Sequence, residues 1–201
     1  AMQSGRSLLG PRGLFLGAWI VMGSVVDRWG RTGRGSHRLR RLGRLPRADW
    51  GKMVAHAGLG VTMAGVAGLT AWSIDDIRAV PLGDSYDVGR YTVQLDDVTQ
   101  GQGPNYTATT GSVTLFHDGE EIAQLRPEKR FYPVAQMPTT EAAIDYNLLR
   151  DVYVVIGDEQ ANGGWVVRTY VKPLTNWIWI GCALMALGGV LSLSDRRYRV
   201  A

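Results

Sequence analysis

A chain of 201 residues has room for one or two ordinary domains, and its mean hydropathy of −0.07 reads, on average, as soluble. That average and the net charge of +4 both hide a strong segregation along the chain. Cys182, the only cysteine, lies inside an apolar run, so the acidic middle of the chain holds no disulfide and no redox role is assigned to the thiol.

In chain order, the first apolar run is Gly13–Val26, `GLFLGAWIVMGSVV`, 14 residues long. A span needs about 20, so this one crosses only if its helix extends through Asp27–Trp29 or back past Pro11; the expected segment is 8–29. Next comes a cytoplasmic Arg-rich loop, 30–52: from Arg28 to Lys52 nine Lys and Arg stand against one acid, Asp49. Clustered arginines such as `GRTGRGSHRLRRLGRLPR` also suit a nucleic-acid arm. Between two apolar runs they read instead as a solvated loop, with His37 one more solvated residue and no nucleic-acid partner. Met53–Trp72 is a 20-residue span and Trp177–Ser194 an 18-residue one (taken as 177–194), followed by a tail, 195–201, with three Arg and one Asp. Cys182 is expected to be a small residue at a helix contact.

Between Ser73 and Asn176 there are 15 Asp and Glu against eight Lys and Arg. Short basic loops stay in the cytoplasm, which makes the acidic segment, 73–176, extracytoplasmic. Trp72, Trp177 and Trp179 fall at the outer interface, Trp29 and Trp50 near the inner one. A cleaved signal peptide over residues 1–26, with Arg6 and Arg12 as its basic region, would reverse this topology. No Ala-x-Ala site follows it.

The external segment reads as strands. `RYTVQLDDV` alternates Tyr91, Val93 and Leu95 against polar neighbours. `SVTLFHDGEEIAQL` turns at Asp118-Gly119, with His117 an exposed residue at the tip. `DVYVVIG` and `GGWVVRTYV` join through Asn162-Gly163-Gly164. The predicted fold is α-helical in the membrane, with an all-β domain, a small antiparallel barrel or sandwich, inserted between the last two spans. `RPEKRFYPVAQMPTTEAAI`, Arg126–Ile144, resists the pattern: three prolines make it an ordered loop. Its Arg126, Lys129 and Arg130 either bind an anion or partner, or pair with Glu128, Glu141 and neighbouring acids.

His56 is the ionisable side chain inside `KMVAHAGLGVTMAGVAGLTAW`. At helical spacing it shares a face with Gly60, Met63 and Ala67, small enough for a helix or a flat macrocycle to approach. Neutral imidazole at that depth either ligates a metal such as haem iron, with a second acceptor holding its other nitrogen, or hydrogen-bonds a neighbouring helix or headgroup.

`RPEKRFYPVAQMPTTEAAI`, `RDVYVVIG` and `GGWVVRTYVKPLTNWIWIGCALMALGGVLSLSDRRYR` resemble the C-terminal part of the CcmF family of cytochrome c haem lyases, and `VAHAGLGV` resembles the start of that family's penultimate helix. The resemblance is most specific from Arg126 to Arg199 and extends back to Met53. It implies multi-pass machinery that attaches haem to apocytochrome c, receives haem from the chaperone CcmE and works with CcmH. It further implies a haem b between transmembrane histidines, with His56 as one iron ligand. Beside it, the Arg126–Glu141 segment is read as a docking site for CcmE, CcmH or apocytochrome, through Arg126, Glu128, Lys129, Arg130 and Glu141. The family's `WWD`-type segment, its two external histidines and its second transmembrane histidine are not in this sequence. The chain therefore reads as a C-terminal fragment or the smaller half of a split gene, a lyase only together with the remaining N-terminal part of the family's protein. It has no nucleophile–base constellation and no Cys-x-x-Cys-His of its own. Two other functions stay open: a membrane scaffold whose β domain binds haem-delivery partners, and part of a haem transporter.

Overall fold

The computed structural model describes residues 8–33, 38–161 and 163–195. The chain divides into two units, one holding residues 1–72 and 173–201, the other Ser73–Lys172.

The first unit contains α1 (Leu9–Gly30), α2 (Arg38–Leu42), α3 (Arg47–Trp72) and α4 (Thr175–Leu193). α1, α3 and α4, of 22, 26 and 19 residues, are long and apolar enough to cross a membrane. α3 packs against both of the others. Glycines set the spacing, because a helix without Cβ atoms lets the neighbouring backbone come close. A Cβ built on Gly17 of α1 would lie 2.6 Å from the Gly60 carbonyl, and one on Gly58 of α3 would lie 2.7 Å from that of Gly181. The outward faces are apolar: Phe15, Trp19 and Met22 on α1 and Trp179, Leu187 and Val190 on α4 are all exposed. Such surface suits lipid or further helices and is unusual against water.

One expected boundary, that of the Arg-rich loop, changes here. The 14-residue run is the middle of a longer helix: Pro11 falls in its first turn, where backbone N–H groups have no helical acceptor anyway, and the helix continues through Asp27 to Gly30. Charges at this end are paired, Arg31 with Asp27 (3.2 Å) and with Asp49 (3.2 Å). The Arg-rich loop is shorter than 30–52, since α2 occupies part of it and α3 begins at Arg47. Asp195 starts α3 from outside: its carboxylate, in a residue only 6 % exposed, accepts a hydrogen bond from the Ala48 N–H at 3.0 Å. An acid there meets the unpaired N–H groups and the positive end of the helix. Asp195→Ala is expected to lower stability by about 1–2 kcal/mol, the usual cost of a lost cap, measurable as a lower unfolding midpoint in detergent.

The second unit is two packed sheets. Its strands are β1 (Ile74–Val80), β2 (Ser85–Val88), β3 (Tyr91–Gln102), β4 (Thr107–His117), β5 (Glu120–Leu125), β6 (Glu128–Tyr132), β7 (Met137–Glu141), β8 (Ala143–Tyr146), β9 (Arg150–Glu159) and β10 (Trp165–Pro173). One sheet has the order β1-β10-β9-β8; the other runs β2-β3-β4-β6-β7, with β5 also on β4. Alternation buries Val93 and Leu95, Val113 and Leu115, Val152, Val154 and Ile156, and Val167 and Val171 in one core. The Tyr86 hydroxyl and Thr169 Oγ1, from opposite sheets, meet at 2.8 Å inside it. Burial pushes the phenol up to about 12, so this link stays uncharged through the neutral range. Asp118 (φ 52°) and Gly119 (φ 84°) form the β4–β5 turn that Asp-Gly predicts.

Arg126–Ile144 is not a loop, and this corrects the sequence expectation. Val113 pairs with Leu125 and Thr110 with Glu128, so β5 and β6 are successive parts of one strand along β4. Each proline occupies a tolerated place. Pro127 falls at the break between the two strands, Pro133 lies in the β6–β7 turn, and Pro138 is on β7, which pairs only with β6.

Candidate functional site

His56 lies on the third turn of α3 with its side chain exposed. Its Nδ1 is 2.8 Å from the Lys52 carbonyl oxygen, one turn back. A carbonyl can only accept, so Nδ1 carries the proton and donates it. In the neutral ring the lone pair is then on Nε2, the nitrogen pointing away from the helix backbone. The acceptor that a ligating histidine needs is therefore supplied by the helix itself.

His56 lines a cavity of about 340 Å³ between α1 and α3, together with Trp19, Ile20, Gly23, Ser24, Asp27, Lys52 and Met53. Most of that wall is apolar, and the polar groups gather at the Asp27–Lys52 end. A Cβ placed on Gly23 would meet nothing within 4 Å, so the wall is open there. An imidazole whose second nitrogen is unprotonated, an apolar recess and a cation at its edge would suit a haem, with His56 as the nitrogen donor and Lys52 near an anionic substituent. Among the described residues there is no group of three or more His, Cys, Asp or Glu that could hold a metal ion.

The face shared by His56, Gly60, Met63 and Ala67 is divided. Gly60 packs on Gly17 and Val21, and the Ala67 methyl faces Gly13, so α1 is the neighbour the small residues admit and His56 stands past that contact. Close by, Arg28, 3 % exposed, puts its guanidinium 4.2 Å from the Trp50 ring and 3.7 Å from Asp49. Its position on the α3-facing side of α1, four and seven residues after Ser24 and Val21, was the available signal; the sequence reading grouped it with solvated arginines.

The residues proposed for partner binding form a paired cluster. Arg130 Nε donates to Glu128 at 2.8 Å, and Arg130 Nη1 lies 3.5 Å from Glu141 on the facing strand. The guanidinium also sits 4.7 Å from the Tyr106 ring. Its pKa is raised, chiefly by the Glu128 hydrogen bond. Lys129 pairs with Asp158. Arg126, at the β5–β6 break, is exposed. Of the two readings left open, mutual pairing describes Arg130 and Lys129, and Arg126 is the cation that stands outside it.

His117 stacks on Tyr91 (5.0 Å) at the end of β4, 3.3 Å from Asp118. Cys182 is exposed on α4 and not at a helix contact as expected; Gly181 and Gly188 hold that role. His37 lies outside the described residues.

Residues 71–173 match the family model described as the CcmF C-terminal beta-sandwich. The chain belongs to the CcmF family. It is 54 % identical over its whole length to the cytochrome c-type biogenesis protein ccl1 of Rhodobacter capsulatus, covering 30 % of that protein. It is 42 % identical over 92 % of its length to CcmF of Pseudomonas aeruginosa (28 % of the relative) and 37 % identical over 93 % to CcmF of Escherichia coli (28 %). Among solved structures, a cytochrome c heme lyase CcmF shares the fold at a TM-score of 0.61 and 19 % identity, over 97 % of this chain and 36 % of the other. The chain thus spans under a third of the length of these curated relatives and corresponds to the C-terminal portion of the family. Three span-length helices and a CcmF sandwich make it part of a membrane protein of cytochrome c-type biogenesis.

Proposed function

We propose that this chain is the C-terminal part of a cytochrome c haem lyase, in which His56 would be one nitrogen ligand of a haem b shared with the rest of the protein. The supporting observation is the Nδ1–H donation to the Lys52 carbonyl, which orients the ring and leaves Nε2 as the donor nitrogen of a residue that lines the cavity. Bound between two histidines, such a haem supplies one-electron transfer. The chain's own part is to hold the imidazole oriented, line the recess with Trp19, Ile20 and Met53, and keep Lys52 at its margin for an anionic substituent. Lyase activity then belongs to the full protein with CcmE, CcmH and apocytochrome c as partners, in a bacterial inner membrane, with residues 73–176 in the periplasm.

A scaffold role for the sandwich is the second reading. The β6–β7 hairpin favours it, since Val134 at the tip is 97 % exposed and Phe131 and Met137 flank it. Arg126 and the Arg130–Glu128–Glu141 cluster would then mark a docking face.

Purified full-length protein carrying His56→Ala is expected to keep its yield and lose its b-type absorption in a pyridine haemochrome assay. An unaltered spectrum would remove His56 from the iron and leave the scaffold reading.

A further inference from the structure

The β8–β9 turn carries an unusual surface for a turn. Tyr146 (74 %), Leu148 (65 %) and Leu149 (66 %) are exposed together, where turns ordinarily show Gly, Asn, Asp, Pro or Ser. The turn is well fixed. Asn147 Oδ1 accepts from the Leu149 and Arg150 N–H groups at 2.8 and 2.9 Å, and the Asn147 N–H donates to the Arg150 carbonyl at 2.9 Å. Its charges are settled just behind the tip, where Arg150 pairs with Asp145 and donates to the Tyr91 hydroxyl at 2.9 Å. Residues 146–149 carry no formal charge.

Topology says where this tip points. β8 pairs with β9 from Tyr146↔Asp151 onward, and β9 lies beside β10. Lys172, at the end of β10, sits over the Tyr153 ring at 4.8 Å, and Ile74 at the start of β1 pairs with Val171. The leucine turn is therefore at the end of the sheet where both chain ends leave it. Ser73 alone separates β1 from α3, and Leu174 alone separates β10 from α4. The turn at the opposite end, between β9 and β10, is bordered by Asp158, Glu159 and Gln160.

We propose that the β8–β9 turn is a bilayer-contacting element whose Leu148 and Leu149 enter the outer lipid interface, with Tyr146 at headgroup depth. The occupant of this apolar tip is lipid because covalent connection holds that sheet end within one residue of two apolar helices, with Trp72 and Trp177 beside the crossings. A tyrosine with paired leucines is the composition that partitions there. The proposal rests on α3 and α4 being spans, and is independent of His56.

The test places the photoreactive residue p-benzoylphenylalanine at position 149, and separately at 160, in the full-length protein reconstituted into phosphatidylcholine vesicles. Illumination is expected to give several-fold more lipid adduct from 149 than from 160, by mass spectrometry. Cross-linking of 149 to protein instead of lipid, or equal adduct from both positions, overturns the proposal. Carbonate extraction of the same vesicles separates the two failures: protein that washes out disproves the spans, and protein that stays without adduct disproves the turn.

Discussion

His56→Gly in the full-length protein is expected to lose its b-type absorption and to regain part of it when imidazole is added. A polar ring in an apolar segment is costly unless both nitrogens find partners. Donation to Lys52 satisfies one nitrogen only, and metal binding would offset the remainder. Removing the ring leaves the exposed recess beside Trp19, Gly23 and Met53, with room for a free imidazole to take the same place. Loss of an orienting neighbour of a metal ligand costs about 10–100-fold in affinity or activity, so loss of the ligand itself is expected to cost at least that in cytochrome c maturation. Rescue separates a ligand from a packing residue: a protein that has merely lost a helix contact does not regain a haem spectrum from imidazole. Full absorption without the side chain would overturn the assignment.

Gly188→Ala and Gly189→Ala, the same change at adjacent positions of α4, are expected to have opposite signs. A Cβ on Gly188 would lie 2.5 Å from both the Ala55 nitrogen and the Gly51 carbonyl oxygen, which are backbone and cannot rotate away. The helices must part, at about 2–3 kcal/mol. Gly189 meets nothing within 4 Å, and Ala there gains about 0.5–1 kcal/mol from the lower conformational entropy lost in a helix. Unfolding midpoints of the two variants in one detergent measure the difference. Equal midpoints would mean that α3 and α4 do not touch along this stripe.

Much of this architecture could be read from patterns that repeat over many residues. Runs of 20 and 18 apolar residues mark α3 and α4, and strict alternation at Val93 and Leu95 gives the buried face of β3. Features that depend on a distant partner could not. Asp195 looked like a tail residue because its hydrogen-bond partner, Ala48, is 147 positions away. The prolines of Arg126–Ile144 looked like breakers because their tolerance depends on which strand edges are unpaired, a property of the sheet and not of the segment. For the candidate site, the sequence marked His56, and helical spacing alone could have named the Lys52 carbonyl. It could not show that α1 fills the small-residue face and leaves the imidazole beyond it.

The Ala48–Asp195 bond has a mechanical corollary. It ties the residue just past α4 to the first turn of α3, in addition to the glycine contacts along their length. Splaying α3 from α4 means breaking that tie, and Asp195 is obliged to sit next to where α3 begins.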